Sequence, residues 1–105
     1  MQNKDNGVEY FDAHKLEELY GKDFFEKITI KKYSTGNVYF YPFGMKGHKS
    51  LRKFLIDSKI GTFERAFAEL IMIDEDILWI PGIRRSNIAP IDKNTSRVII
   101  IRYIP

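Results

Sequence analysis

The chain has 105 residues, of which 44% are hydrophobic and 30% charged, and it contains no cysteine. This length suits one domain with a single modest core, and the missing cysteines exclude disulfides, thiolate metal ligands and a cysteine nucleophile. The polar residues 1–7 do not resemble a secretory signal, and no apolar run approaches the roughly 20 residues that a membrane helix needs. We therefore expect a cytoplasmic domain that does not contact a membrane.

The net charge of +3 is unevenly distributed along the chain. Residues 1–26 carry three basic and seven acidic side chains, whereas residues 27–105 carry the other 14 basic and seven acidic ones. Such an excess of positive charge in the later residues is compatible with a surface that faces nucleic acid. Charges that merely alternate around a small soluble domain remain an equally good interpretation of the count alone.

The first predicted elements are a strand and a short helix. Residues 1–7 are expected to form a disordered lead-in, so that the predicted domain spans residues 8–105. Val8–Asp12 is rich in β-formers and predicts a strand. Ala13–Tyr20 allows one or two helical turns, which Gly21 would end.

Two further extended segments follow. Ile28–Tyr33 alternates between apolar and polar residues, and the turn-forming residues 34–37 come directly after it. Val38–Tyr41 reads as extended and stops at Pro42. Because side chains alternate along a strand, Val38 and Phe40 should share one face and the two tyrosines the other.

The middle of the chain predicts two short helices. Leu51, Phe54, Leu55 and Ser58 fall on one stripe of a helix, and Lys49 and Lys53 lie opposite. Gly61 is expected to end this helix, and Thr62 is the expected N-cap of the second. In that second helix helical spacing relates Phe63, Ala66, Phe67 and Leu70.

The last third of the chain is predicted to be β-structure. Leu70–Ile73 and Ile77–Ile80 flank three acidic residues, Asp74, Glu75 and Asp76, which is the pattern of a hairpin with an acidic tip. Pro81 and Gly82 should end the second strand. Arg97–Tyr103 predicts a final strand buried on both faces. The expected fold class is thus α+β, a β-rich compact single domain with two short helices between early and late strands.

No set of residues predicts a catalytic centre. The two histidines, His14 and His48, have no metal-ligand partner at a recognisable spacing and are expected on the surface or at a cap. Three consecutive acidic residues at a hairpin tip seldom converge on one atom, and no glycine-rich phosphate loop is present. We therefore expect no catalytic residue, no metal and no cofactor in this chain.

A basic segment over residues 39–54 carries the strongest functional signal. Lys46, Lys49, Arg52 and Lys53 occur there with no acidic residue before Asp57. Gly44 and Gly47 would let the backbone approach a partner, just before a helix N-terminus whose N–H groups favour phosphate. Tyr39 and Tyr41 are expected to pack in the sheet, and stacking on unpaired bases is the alternative left open.

Two blocks of the sequence resemble one protein family. Residues 42–60, PFGMKGHKSLRKFLIDSKI, resemble the pattern P-x-G-x-x-G-x-K-x-L-K-x-F-F-x-D-x-K-I of the C-terminal domain of bacterial tRNA(Ile)-lysidine synthetases. Residues 77–84, ILWIPGIR, resemble the I-x-W-V/I-P-G-x-R of the same domain. The family's G-D-R-F before the proline is replaced here by Asn37, Val38, Tyr39 and Phe40. The chain is thus identified as a divergent member of that family.

The resemblance implies a role within a larger enzyme. The parent would use ATP, bound in an N-terminal domain, to attach lysine to the wobble cytidine of an isoleucine tRNA. The C-terminal domain is similar to a domain of the phenylalanyl-tRNA synthetase beta chain and would contact the tRNA acceptor stem. The expected partners are tRNA(Ile) and the N-terminal catalytic domain of the same protein. The residues expected to contact RNA are Lys46, His48, Lys49, Arg52, Lys53, Arg84 and Arg85.

A second interpretation stays open at this point. The domain could pack against its parent enzyme as a protein-interaction or structural module without touching RNA. The two hypotheses differ in salt dependence, because contacts to phosphates release counterions and weaken steeply as salt rises.

Overall fold

The computed structural model describes residues 7–33 and 39–104. Within these ranges the chain forms eight strands, three α-helices and one 3-10 turn. In chain order they are β1 (Val8–Asp12), α1 (Ala13–Tyr20), the 3-10 turn (Phe24–Lys27), β2 (Ile28–Lys32), β3 (Tyr39–Phe40), β4 (Lys49–Ser50), α2 (Leu51–Asp57), α3 (Thr62–Ala66), β5 (Glu69–Ile73), β6 (Asp76–Ile80), β7 (Arg84–Arg85) and β8 (Val98–Arg102).

A four-stranded antiparallel sheet forms the middle layer, with strand order β2-β5-β6-β7. The pairing of β5 with β6 shifts register, since Ile71 faces Trp79 whereas Met72 faces Ile77. The extra residue, Leu78, is a bulge that turns Leu78 and Trp79 toward the same core. The sheet consequently presents an apolar face on each side.

The first face is covered by α1 and by the two-stranded sheet of β1 and β8. Phe11 and Leu16 from this layer are fully buried against Ile71, Ile73 and Trp79 of the middle sheet. Ile99, Ile101 and Tyr103 of the β8 segment pack on the same core. Burial of these large side chains supplies the main driving force that holds this layer in place.

The second face is covered by α2 and by the short pair of β3 and β4. Leu51, Phe54 and Leu55 of α2 are buried together with Phe40 of β3 against Leu70, Met72, Ile77 and Ile80. The ring of Phe54 meets that of Phe40 edge-on at 5.0 Å. The predicted buried stripe of α2 is confirmed for its three apolar members, and Ser58 lies outside the helix as its exposed C-cap.

The structure confirms the α+β, β-rich fold class and the hairpin between β5 and β6. The strand over Val8–Asp12 and the helix over Ala13–Tyr20, ended by Gly21, also have the predicted bounds. The predicted turn at 34–37, the extended conformation of Val38 and most of the predicted lead-in, residues 1–6, lie outside the described residues.

Two predicted helix boundaries are wrong. Helix α2 ends at Asp57 rather than near Gly61, and the chain then reverses through Lys59, which has a φ of +63°. Gly61, not Thr62, is the N-cap of α3, and Thr62 is the first helical residue. Because Gly61 has no side chain with which to cap, this helix begins without a side-chain hydrogen bond.

The expectation that the last strand is buried on both faces is also wrong. Val98 and Ile100 are 45% and 59% exposed, whereas Ile99 and Ile101 pack inward. Strand β8 pairs only with β1, and nothing in the described part of the chain covers the outer side of this pair. A continuous apolar run therefore alternates between core and surface here.

Asp12 connects the end of β1, the start of α1 and the segment before β8. It is 4% exposed, and its carboxylate accepts hydrogen bonds from the Lys15 N–H at 3.0 Å and from the Thr95 hydroxyl at 2.8 Å. Its own N–H donates to the Ala89 carbonyl at 2.9 Å. The hydrogen bond from the Lys15 N–H holds the pKa of Asp12 below its ordinary value, against the opposing effect of burial.

We predict that Asp12→Asn weakens the dependence of stability on acid pH. A carboxylate whose pKa is lower in the folded state stabilises the fold above its unfolded pKa of about 4, and this contribution is lost as pH falls through the folded pKa. Asparagine still caps α1 but does not ionise. Urea denaturation from about pH 6 to pH 2 should therefore show a shallower fall in the free energy of unfolding.

The matched control is Asp23→Asn, which changes an exposed carboxylate that lies 3.8 Å from Lys27. This variant should retain most of the wild-type acid dependence. An acid slope that is unchanged in Asp12→Asn would contradict the assignment.

Candidate nucleic-acid interface

The start of the first sequence block lies beside the end of the second block and the residues that directly follow it. The segment 41–43 pairs with 85–87: the Asn87 N–H donates to the Tyr41 carbonyl at 2.8 Å, and the Phe43 N–H donates to the Arg85 carbonyl at 3.1 Å. Pro42 and Ser86 form an antiparallel bridge between these two bonds. This pairing holds the turn after Phe43 against the edge of the middle sheet.

The turn itself requires glycine at two positions. Gly44 and Gly47 have φ values of +84° and +70°, which L side chains rarely adopt, although a Cβ at either position would meet nothing within 4 Å. Conformation, rather than lack of space, therefore demands glycine. Lys46 and His48 are exposed on this turn.

Helix α2 does not follow the glycine turn directly, because β4 lies between them. The Ser50 hydroxyl accepts a hydrogen bond from the Lys53 N–H at 3.1 Å and so occupies one free N–H of the helix start. Lys49 belongs to β4, not to the helix as predicted. One N–H of the helix start is thus already bonded within the protein, and the basic side chains are the stronger candidates for contact with phosphate.

Lys49 and Lys53 converge on one carboxylate. The Lys49 Nζ lies 2.9 Å and the Lys53 Nζ 3.8 Å from Asp57 Oδ2. The hydrogen bond from Lys49, together with the charges of both lysines, holds the pKa of Asp57 below its ordinary value. Arg52 and Lys46 are exposed, and neither makes an ion pair with a described residue. These two cations are the ones most available to a partner.

Arg84 borders the same surface. Its guanidinium donates to the Phe43 carbonyl at 3.3 Å and lies 5.6 Å from the centroid of the Phe54 ring. It is half-buried, and five N–H donors leave several free for an anion. The structure thus brings Arg84 from the second sequence block to the helix of the first.

Arg85 faces inward, and its side chain is 13% exposed. Its Nε, Nη1 and Nη2 donate to the carbonyls of Ser86, Tyr10 and Ile88 at 2.9, 2.7 and 2.7 Å. Burial lowers the pKa of Arg85, and Glu9 opposes this at 3.9 Å, although an arginine stays protonated. The guanidinium also lies 4.3 Å from the centroid of the Phe11 ring. Three of its five N–H donors are used inside the protein, so Arg85 is less available to RNA than the other candidates.

Tyr39 and Tyr41 do not pack into the sheet as expected. They are 53% and 51% exposed, and both rings lie close to the ring of His48, with centroid distances of 4.8 and 5.3 Å. Beside them lies a cleft of about 700 Å³. We name it the tyrosine cleft; its lining residues are Thr29, Lys31, Tyr39, Tyr41, Met72, Asp74, Glu75 and Asp76.

Sequence reasoning missed the tyrosine cleft because its walls come from three distant segments. Thr29 and Lys31 project from β2 on the face that α2 covers further along, as shown by their pairing with Met72 and Leu70. No local pattern relates these residues to the hairpin tip.

Two negative findings concern the part of the chain that the structure describes. Residues 7–33 and 39–104 contain no cluster of three or more histidine, aspartate or glutamate side chains able to hold a metal ion. No helix within the same ranges has the length and apolar character needed to cross a membrane.

Comparisons with known proteins agree on one family. The model of the TilS substrate C-terminal domain matches residues 28–101. The chain is 37% identical to the tRNA(Ile)-lysidine synthase of Caldanaerobacter subterraneus subsp. tengcongensis and 33% identical to that of Parabacteroides distasonis, with 96% of the chain covered in both. These matches cover 20% and 21% of the relatives, so the chain spans about a fifth of their length.

A solved structure has the same fold. It is titled "Crystal structure of TILS C-terminal domain" and matches with a TM-score of 0.69 at 20% identity. The match covers 97% of this chain and 72% of that one.

We predict that Arg85→Met and Arg85→Lys both lower the free energy of unfolding by about 2–4 kcal/mol, because each leaves carbonyls of the interior without their donors. Urea denaturation measures the change. The control, Arg84→Met, removes a single long hydrogen bond and should cost less than about 1 kcal/mol. An Arg85→Lys variant with wild-type stability would contradict the structural role.

Proposed function

We propose that this chain, which belongs to the TilS substrate C-terminal domain family, binds the acceptor stem of the tRNA substrate of a tRNA(Ile)-lysidine synthase. The relatives named tRNA(Ile)-lysidine synthase are about five times as long, so the chemistry is assigned to other parts of such a protein. There, ATP and lysine would modify the wobble cytidine of tRNA(Ile) in the cytoplasm. The role of this domain is to hold the RNA.

The observation that carries the proposal is a cluster of cations with few neutralising carboxylates. We name it the basic surface; its members are Lys46, Lys49, Arg52, Lys53 and Arg84, with His48 at its margin. Among the described residues only Asp57 is ion-paired with members of this group. The surface thus keeps a net positive charge at neutral pH.

The basic surface suits duplex RNA in particular. Base edges in the deep major groove of an RNA helix are out of reach of side chains, so proteins contact mainly phosphates and sugars. Lysine and arginine side chains on short elements that are fixed by hydrogen bonds and packing can match the spacing of phosphates without reading sequence. Ser50 at the start of α2, together with the buried Phe54, fixes the direction of that helix and so of Arg52 and Lys53.

A second candidate function has its own observation. The outer face of β1 and β8 exposes Tyr10 at 46%, Val98 at 45% and Ile100 at 59%, and Tyr10 and Ile100 are direct cross-strand partners. An exposed apolar patch of this kind favours contact with protein. It lies on the layer opposite α2, so packing against another domain would leave the basic surface free.

We predict that Lys46→Ala/Arg52→Ala weakens tRNA binding and reduces its salt dependence. Removing two phosphate contacts should make the slope of log affinity against log salt shallower by about 1 to 2. The measurement is binding of a tRNA(Ile) transcript to the 105-residue chain over a salt series. Lys49 and Lys53 are left in place because their removal would also free Asp57.

The matched control is Lys22→Ala/Lys93→Ala. It removes the same charge from two exposed lysines outside the basic surface and should leave the slope nearly unchanged. Equal losses in the two variants would show that net charge alone matters. No binding by the wild type at low salt would overturn the proposal and favour the protein-interaction alternative.

A further inference from the structure

We propose that the tyrosine cleft binds one unpaired nucleotide of the RNA, with its base against Tyr39 and Tyr41 and its phosphate toward His48. The proposal rests on the proposed function, since it assigns a second contact to the same RNA. It adds a second binding site beside the basic surface and names the class of its ligand, an unpaired nucleotide.

The aromatic wall of the cleft suits a flat ring. Tyr39 and Tyr41 are two residues apart, so both side chains leave the chain on the same side, and each is half-exposed. His48 meets the Tyr39 ring edge-on at an interplanar angle of 90°, which leaves a face of that ring open to a ligand. Stacking of bases on such rings tolerates any base, because each base has a π face.

The volume of the cleft fits a nucleotide. About 700 Å³ lies within the range of roughly 300–1,000 Å³ that is typical of small-ligand sites. The same tyrosines also line a smaller cavity of about 180 Å³, together with mainly apolar or aromatic residues such as Leu19 and Ile77. Tyr39 and Tyr41 thus contribute to both a polar cleft and a smaller apolar cavity.

The three acidic residues of the hairpin tip also line the cleft, and their surroundings differ. Asp76 accepts a hydrogen bond from the Tyr20 hydroxyl at 2.7 Å, and Asp74 lies 4.0 Å from the Lys27 Nζ. Glu75 is exposed and makes no ion pair with a described residue. The carboxylates accept hydrogen bonds and repel phosphate. They therefore favour the amino groups of adenine, guanine or cytosine over the carbonyls of uracil.

Charge then sets the direction in which a nucleotide enters. Negative charge lies at the hairpin tip and positive charge on the basic surface, and the tyrosines with His48 lie between them. Lys31 and Thr29 on the β2 side offer a cation and a hydroxyl to the sugar or phosphate. A base inside an RNA duplex has its amino groups paired and its faces stacked, so the bound nucleotide must come from a single-stranded end or loop.

The test compares two RNAs that share one duplex. One is blunt, and the other carries a short 3′ overhang of cytidines. We expect the overhang to strengthen binding to the wild-type chain by about tenfold. In Tyr39→Leu/Tyr41→Leu this gain should disappear while binding of the blunt duplex is unchanged. Tyr10→Leu, which alters a tyrosine of similar exposure on another sheet, should keep the gain.

A second arm tests the acidic wall. An overhang of uridines should gain several-fold less than the cytidine overhang, because uracil has no amino group to donate. Asp74→Asn/Glu75→Gln should remove this preference while strengthening binding of the blunt duplex, since two repelling charges are gone. Asparagine is suitable at position 74 because the backbone there has a φ of +51°. Asp76 is left intact because it holds Tyr20.

A third measurement uses the wild-type chain and so does not depend on whether the variants fold. NMR of the wild-type chain should show ring resonances of Tyr39 and Tyr41 shifting on addition of the cytidine overhang duplex, and those of Tyr10 remaining in place. Equal binding of the blunt and overhang duplexes, without these shifts, would overturn the nucleotide site alone. Failure of both duplexes to bind at low salt would overturn the proposed function, and the nucleotide site with it.

Discussion

The arrangement of this domain depends on the hydrogen bonds that the inward-facing Arg85 donates. One guanidinium joins the carbonyls of Tyr10, Ser86 and Ile88, which belong to β1, the end of β7 and the following loop. Phe11 and Phe43 lie against its faces at 4.3 and 5.4 Å. A buried cation with so many partners tolerates little displacement, because each lost partner leaves a polar group unsatisfied. The glycine turn that starts at Phe43 therefore has a rigid base.

This rigid base explains how a short turn can present charge in a defined direction. The backbone pairing of 41–43 with 85–87 fixes the start of the turn, and Ser50 with the buried face of α2 fixes its end. Flexible lysines on a mobile loop would lose side-chain and backbone entropy on binding RNA, and a preformed surface reduces that loss. The same construction holds Tyr39 and Tyr41 half-exposed beside the acidic hairpin tip.

The pair Arg84 and Arg85 shows where sequence reasoning was insufficient. Adjacent residues in a strand point to opposite sides of the sheet, so the two guanidiniums meet different layers, but nothing in the sequence indicates which is buried more deeply. The prediction that β8 is buried on both faces was wrong for a related reason. A run of isoleucines fits a strand buried on both sides, and only strand pairing reveals that β8 belongs to a two-stranded outer layer with one open face. Both cases concern burial, not secondary structure.

The sequence by itself determined the local elements, the acidic hairpin, the basic segment and the family. Helix spacing, turn residues and a hairpin depend on contacts between residues close in the chain, and the two family motifs are continuous blocks. Only the tertiary structure decided which cations remain available, that Arg85 is internal, and that Lys31, Tyr39 and Glu75 line one cleft. Those features arise where segments far apart in sequence meet, and they depend on strand order and on a one-residue bulge that no local pattern encodes.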